Sequence, residues 1–276
     1  MPDTTRRGRA GLPTPGSSWL DDWEVAGEQT RSVWHRLTPP QLLVISFLGF
    51  ILLGTLGFKA IPGLYTAESL SWLDALFTAT SAVCVTGLIV VDTATYFTPL
   101  GQLYVLFLIQ VGGLGMITLT TLVILALGRQ LSLRHESLAR PGIEIDARLG
   151  TRRLAYDIVR FTLIIEAVGA FILWSFWAPT MGWGSAAWNA VFHAVSAFCN
   201  AGFSTFSDSL IGFRESPAVL GTVAALIILG GLGFLVLEEI HLSRRSQRRR
   251  HRARLSLHSR LVLATTAALL VGGWGL

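Results

Sequence analysis

Two short segments of this sequence have the residue types needed to hold a bare cation. They are Val85-Thr86-Gly87-Leu88 and Asn200-Ala201-Gly202-Phe203, each a glycine-centred turn behind a run of intermediate hydrophobicity. The chemistry available there belongs to the backbone, because carbonyl oxygens arranged as a ring can replace the hydration shell of a dehydrated ion. Glycine suits such a place: it reaches φ values that other residues avoid and lets backbone approach the ion closely. Backbone ligands leave the side chains free to differ between the two turns, as they do. The plainer alternative for each is an interfacial helix ended by a glycine turn. Two matched copies in equivalent places favour the ion site.

Other residues invite other chemistry. His193 and Ser196 stand one helical turn apart, the spacing of a hydrolase dyad. No third group orients the histidine and no oxyanion hole is evident, so His193 is expected to pack or cap a helix. A membrane-embedded enzyme using this pair remains the rival class, but no catalytic residue is assigned. Glu166 is ionisable within an apolar stretch, which by default suggests function. It is about one and a half turns from Arg160, so a structural pair or a snorkelling side chain is the alternative. Cys84 and Cys199 hold matching positions just before the turns and are read as small packing residues, since a thiolate metal site needs more ligands. Two cysteines make no disulfide framework. Neither a cofactor nor a protein-ligated metal is expected. The only metal foreseen is an ion held by the filter carbonyls.

These groups must be positioned by membrane helices. Hydrophobic residues make up 51% of the 276 and charged residues only 14%, against about 25% charged in a soluble domain. Spanning a hydrocarbon core takes about 20 apolar residues. Gln41–Phe58, Thr93–Gly128, Phe161–Thr180 and Ser216–Leu237 are read as four spans. A fifth run starts at Leu261 and is still apolar at Leu276. Between spans one and two lies SWLDALFTATSAV, and between three and four SAAWNAVFHAVSAF. Each is too short to cross and is expected to enter and return. Non-helical backbone at that depth is tolerated where protein or a water-filled cavity surrounds it.

An internal repeat orders these pieces. Ser81-Ala82-Val83-Cys84 aligns with Ser196-Ala197-Phe198-Cys199, and Gly87 with Gly202, at an offset of 115 residues. Gly112-Gly113-Leu114-Gly115 matches Gly230-Gly231-Leu232-Gly233 at an offset of 118. These clusters are expected in mid-helix, where each glycine costs about 1 kcal/mol relative to alanine. Close helix packing beside the turns is the reading, and a hinge the alternative. No strand precedes them, so they are not nucleotide loops. The organisation expected is a cytosolic leader 1–38, a first helix–pore loop–helix repeat 39–128, a cytosolic linker 129–152, a second repeat 153–242, a basic cytosolic loop 243–260, and the start of a third repeat 261–276. Trp19, Trp23 and Trp34 mark an interfacial stretch or a loosely ordered tail in the leader.

The pI near 9.9 raises nucleic acid as a partner, but the placement of charge excludes it. Twenty of the 22 basic residues fall in three blocks, Arg6–Arg36, Arg129–Arg160 and Arg244–Arg260, each flanking apolar segments. That is the positive-inside pattern, with membrane lipid as the partner and a cytosolic N-terminus. The Arg244–Arg254 run reads as a solvated loop that could dock a cytosolic regulator. The two outer gaps hold Lys59 and Arg214 against Glu68, Asp74, Asp92, Asp208 and Glu215. An acidic mouth concentrates cations.

TATSAVCVTGL and FHAVSAFCNAGFS resemble the first and second pore loops of the Trk/Ktr/HKT potassium-transporter superfamily, and QVGGLGM and ILGGLGF resemble the helices that follow. The resemblance covers roughly residues 40 to 276. It implies an all-α integral membrane fold of tandem helix–pore loop–helix repeats around a pseudo-fourfold ion pore. It also implies potassium uptake across the cell membrane by a multi-pass subunit. Val85, Thr86, Gly87 and Leu88, with Asn200, Ala201, Gly202 and Phe203, would supply filter carbonyls. In plant members serine at the first filter glycine goes with sodium permeation, so Gly87 and Gly202 lean towards potassium. A homodimer and a cytosolic nucleotide-binding regulatory ring are implied as partners. Two of four units are absent, so a chain truncated after two and a half repeats is expected. A simple cation channel assembled from several short chains is the alternative.

Overall fold

In a computed structural model, backbone is described for residues 39–115, 143–247 and 255–274, and side chains for most of these. The leader 1–38, residues 116–142 and the basic stretch 248–254 lie outside the described residues, with the expectations placed on them. The chain divides into two compact units, Met1–Ser46 and Phe47–Leu276. Of the first, only the opening turns of α1 (Pro39–Ala60) are described.

The described residues of the second unit are mainly helical. α2 spans Trp72–Val83, the single turn α3 spans Thr93–Tyr96, and α4 is the apolar helix Pro99–Gly115. After the undescribed stretch come α5 (Ile143–Met181), α6 (Trp183–Phe198), a 3-10 turn (Ile211–Phe213), α7 (Pro217–Leu232), α8 (Phe234–Gln247) and α9 (Leu257–Trp274). Among the described residues the only β pairing is an isolated bridge, Tyr65 to Phe97. α1, α2 and α4 form one repeat; α5, α6 and α7 form the next.

α2 starts where Ser71 caps it. The Ser71 hydroxyl accepts the Asp74 N–H at 3.1 Å and donates to the Asp74 carboxylate at 2.7 Å. Ser71 is thus the N-cap, its hydroxyl held in turn by the acid that sits at the positive end of the helix. Twelve residues give about 18 Å of helix, half of a bilayer's hydrocarbon core and its margins. α6 runs 16 residues, about 24 Å, and neither helix crosses alone.

Among the described residues, Tyr156–Met181 is one helix long and apolar enough to cross a membrane. Val44–Ala60, Pro99–Gly115 and Leu257–Gly273 are shorter apolar helices. The fourth expected span is not straight: α7 and α8 meet at a 101° bend. Gly233 makes it, with φ 80° and ψ 152°, a region that only glycine occupies freely. Large apolar side chains on the outer faces, among them Leu52, Leu53, Phe107, Leu163 and Phe171, are exposed. In water such a surface would aggregate; here lipid is the solvent.

Among the described residues two clusters form the interior. Phe58, Leu64, Leu70, Val83, Val105 and Ile109 fill the first repeat, and the same cluster takes in Phe192, Cys199, Ala201 and Phe203 of the second. Leu173, Trp177, Ala186, Ala190, Val219 and Val223 fill the second repeat. Because lipid is as apolar as leucine, close packing and buried hydrogen bonds hold such repeats together. Among the described residues, side-chain hydrogen bonds link them, among these Ser207 Oγ to Asp92 at 2.6 Å, Trp188 Nε1 to Gln102 at 2.7 Å, and Gln110 Nε2 to Glu166 at 3.2 Å.

The Asp92 link, between loops that join the helices, makes a pH prediction. Burial alone would raise its pKa, but bonds from Ser207, the Ala94 N–H and Thr95 hold it below the ordinary carboxylate value of 3.8. A depressed folded pKa stabilises the protein above the unfolded value, and that contribution is lost as pH falls through the folded one. Asp92→Asn should therefore lower the melting temperature at pH 7, and the difference from the parent should shrink as pH falls below 3.8 through the folded pKa. Melting curves across an acid pH series check it.

Candidate pore loops

Both pore helices end in the same way. Cys84 N–H bonds to Thr80 O, Val85 N–H to Ala82 O and Thr86 N–H to Ser81 O. One repeat later, Cys199 N–H bonds to Val195 O, Asn200 N–H to Ala197 O and Ala201 N–H to Ser196 O. This is a Schellman ending, in which the residue after the C-cap sits in the left-handed region. Val85 has φ 56° and Asn200 φ 60°. Asparagine tolerates that conformation, whereas for a β-branched valine it costs about 1–2 kcal/mol. The second turn of the path is glycine in both loops, Gly87 at φ 79° and Gly202 at φ 74°.

The loops converge. A Cβ built on Gly87 would lie 2.5 Å from the Ala201 carbonyl oxygen and 3.1 Å from the Gly202 Cα, and one built on Gly202 would lie 3.3 Å from the Gly87 Cα. The two glycines are thus face to face with no room for side chains between them. Thr86, Leu88 and Asn200 are exposed, Val85 is half-buried, and Ala201 and Phe203 are buried in the core. The C-terminal ends of α2 and α6 both abut these turns, bringing the negative ends of two helix dipoles to the place where a cation would sit.

The helices after each loop hold the pore-helix ends from behind. A Cβ on Gly112 would collide with the Val83 carbonyl oxygen, and one on Gly230 with that of Phe198. Gly113 is packed on Cys199, its Cβ position 2.5 Å from Sγ. Close packing, expected for the glycine clusters, holds at these three. Gly231 has nothing near it, and Gly233 is the bend.

His193 and Ser196 do not form a dyad. Ser196 Oγ donates to Phe203 O at 2.6 Å, tying the far side of the turn to its own helix. His193 Nδ1 is 2.8 Å from the Asn189 carbonyl and therefore carries a proton, while Nε2 is 2.9 Å from Ser204 Oγ. The imidazole stacks on Phe206 and meets Trp177 edge-on, which is the packing role expected of it. Asn189 Oδ1 accepts from Thr205 Oγ1 at 2.7 Å, so the whole strand after Gly202 is laced to α6. Spacing alone did not single out Ser204, Thr205 or Asn189; a polar cluster just past the glycine, Ser204-Thr205, was the available signal. The first loop lacks this lacing: Thr78 and Ser81, which correspond to His193 and Ser196, are buried with their hydroxyls unpartnered. Ser196→Ala should cost about 1 kcal/mol of stability by removing the bond to Phe203, whereas Ser81→Ala should be close to neutral. Thermal melts of the two variants in detergent compare them directly.

Glu166 takes neither of its structural alternatives, pairing with Arg160 or snorkelling. It is buried and faces Gln110 and Cys199 rather than Arg160. Cys199 is buried as expected, but Cys84 is exposed, since α4 and α5 cover the second of these positions and no described element covers the first. At the end of α1, Lys59 Nζ donates to Leu70 O at 2.7 Å and lies over the Trp72 ring. Arg214 pairs with Glu215.

Paired half-depth helices whose glycine turns meet, set in a lipid-facing helical frame, define an integral membrane protein of the pore-loop class. The sequence matches the profile of TrkH, a cation transport protein family, over residues 46–273, and the chain belongs to that family. It is 42% identical over 238 residues to the Ktr system potassium uptake protein B of Vibrio alginolyticus, covering 85% of this chain and 50% of that one. Against the protein of the same name from Bacillus subtilis it is 40% identical, covering 86% and 51%. Against the potassium/sodium uptake protein NtpJ of Enterococcus hirae it is 37% identical, covering 88% and 53%. The chain spans about half the length of these relatives.

Proposed function

We propose that this chain contributes two pore loops to a potassium-uptake protein of the cell membrane, with Gly87 and Gly202 at two corners of a carbonyl filter. The observation that carries the reading is the matched backbone of the two loops: the same three hydrogen bonds, the same two left-handed residues, and glycines face to face. Carbonyls of Val85, Thr86, Gly87 and Leu88 and of Asn200, Ala201, Gly202 and Phe203 are the ligands, and potassium is the transported ion. The names of the relatives support that choice of ion. A multi-pass subunit with a cytosolic N-terminus fits the basic blocks at 6–36, 129–160 and 244–260. Four such loops around one axis, a homodimer and a cytosolic nucleotide-binding ring complete the proposal. The test is growth of a potassium-requiring bacterial strain expressing the protein at limiting potassium. Restored growth with potassium-selective uptake is expected; equal uptake of sodium and potassium would overturn it.

A further inference from the structure

Glu166 is the only buried acidic side chain among the described residues, and it sits where two repeats and a pore loop meet. It comes from α5 of the second repeat. Its Oε2 accepts from Nε2 of Gln110, on α4 of the first repeat, at 3.2 Å. Cys199 Sγ lies 4.0 Å from Glu166 Oε1 and 3.9 Å from Gln110 Oε1. Gly113, almost one turn beyond Gln110, leaves the slot that the Cys199 sulfur fills. Cys199 is the C-cap of α6, the residue just before Asn200 turns the chain left-handed into the second loop. An acid beside the negative end of a helix is unfavourable in itself, and ionisable residues in a span face the protein interior and are costly to keep. Its contacts reach the first repeat on one side and the root of the second loop on the other.

We propose that Glu166, held by Gln110, is a positioning residue for the second pore loop: it fixes Cys199 against the first repeat and so sets how well the site at Gly202 tells potassium from sodium. The inference rests on the filter reading above and adds a residue outside the filter to it.

The test is the ratio of potassium to sodium flux in vesicles carrying the full-length protein. Glu166→Ala should lower the ratio by at least about fivefold, equivalent to about 1 kcal/mol at 1.4 kcal/mol per tenfold. Glu166→Gln keeps the shape and an oxygen acceptor, and should stay within about twofold of the parent. Gln110→Ala should match Glu166→Ala, and the double variant should be no worse than either single one, as expected of residues acting through one link. Should Glu166→Ala fail to purify, Gln110→Ala, at a half-buried position, carries the same prediction. An unchanged ratio in well-folded Glu166→Ala or Gln110→Ala overturns the proposal, as does a fall in Glu166→Gln equal to that in Glu166→Ala. Gly87→Ser run in parallel separates the two claims. If it alters the ratio and Glu166→Ala does not, only the positioning role fails; if it too is without effect, the filter reading fails.

Discussion

Gly87→Ser should lower the preference for potassium over sodium by tenfold or more, a change of about 1.4 kcal/mol in relative binding. Two effects act together. Gly87 has φ 79°, where a side chain is strained, and its Cβ would be 2.5 Å from the Ala201 carbonyl oxygen. That oxygen is backbone of the facing loop, so relief requires the second loop to move with the first. Carbonyls displaced by a few tenths of an ångström no longer match one ion size over another. Gly202→Ser should have the smaller effect, because its Cβ meets nothing closer than 3.3 Å. Competition between potassium and sodium in an uptake assay measures both. Equal selectivity in parent and Gly87→Ser would remove Gly87 from the site.

The second large effect concerns neighbouring glycines in one helix. Gly230→Ala should destabilise the protein by about 2–3 kcal/mol, because the new methyl collides with the carbonyl of Phe198 at the end of the pore helix. Gly231→Ala, one residue on, meets nothing within 4 Å and should be neutral or stabilising by up to about 1 kcal/mol through helix propensity. Gly112→Ala, on the Val83 carbonyl, should behave as Gly230→Ala does. Thermal unfolding in detergent, followed by loss of the monodisperse peak, ranks the three. Equal melting temperatures for Gly230→Ala and Gly231→Ala would contradict the packing described.

What could be read from the sequence follows from what is local and repeated. The pore helices were legible because an apolar run too short to cross, followed by glycine, appears twice at one offset. The glycine clusters pointed to close packing or a hinge, since glycine in mid-helix needs such a reason, and the structure has packing at Gly112, Gly113 and Gly230 and a bend at Gly233. The left-handed Val85 was hidden, since valine has no preference for that conformation and only the fold imposes it. Which glycine would bend the helix was hidden too: hydropathy runs smoothly through Leu232 and Phe234, and the hinge alternative named the cluster rather than Gly233. The partners of Glu166 lie 56 and 33 residues away, beyond any local pattern, whereas the pairing alternative rested on the nearby Arg160.

The central claim is that the two loops share one cation site. Anomalous diffraction from crystals of the protein grown with rubidium or thallium in place of potassium addresses it directly. The account predicts a peak within coordination distance of backbone carbonyl oxygens from both the Thr86–Gly87 and the Ala201–Gly202 turns. Ion density elsewhere along the pathway, with none touching either turn, would contradict it.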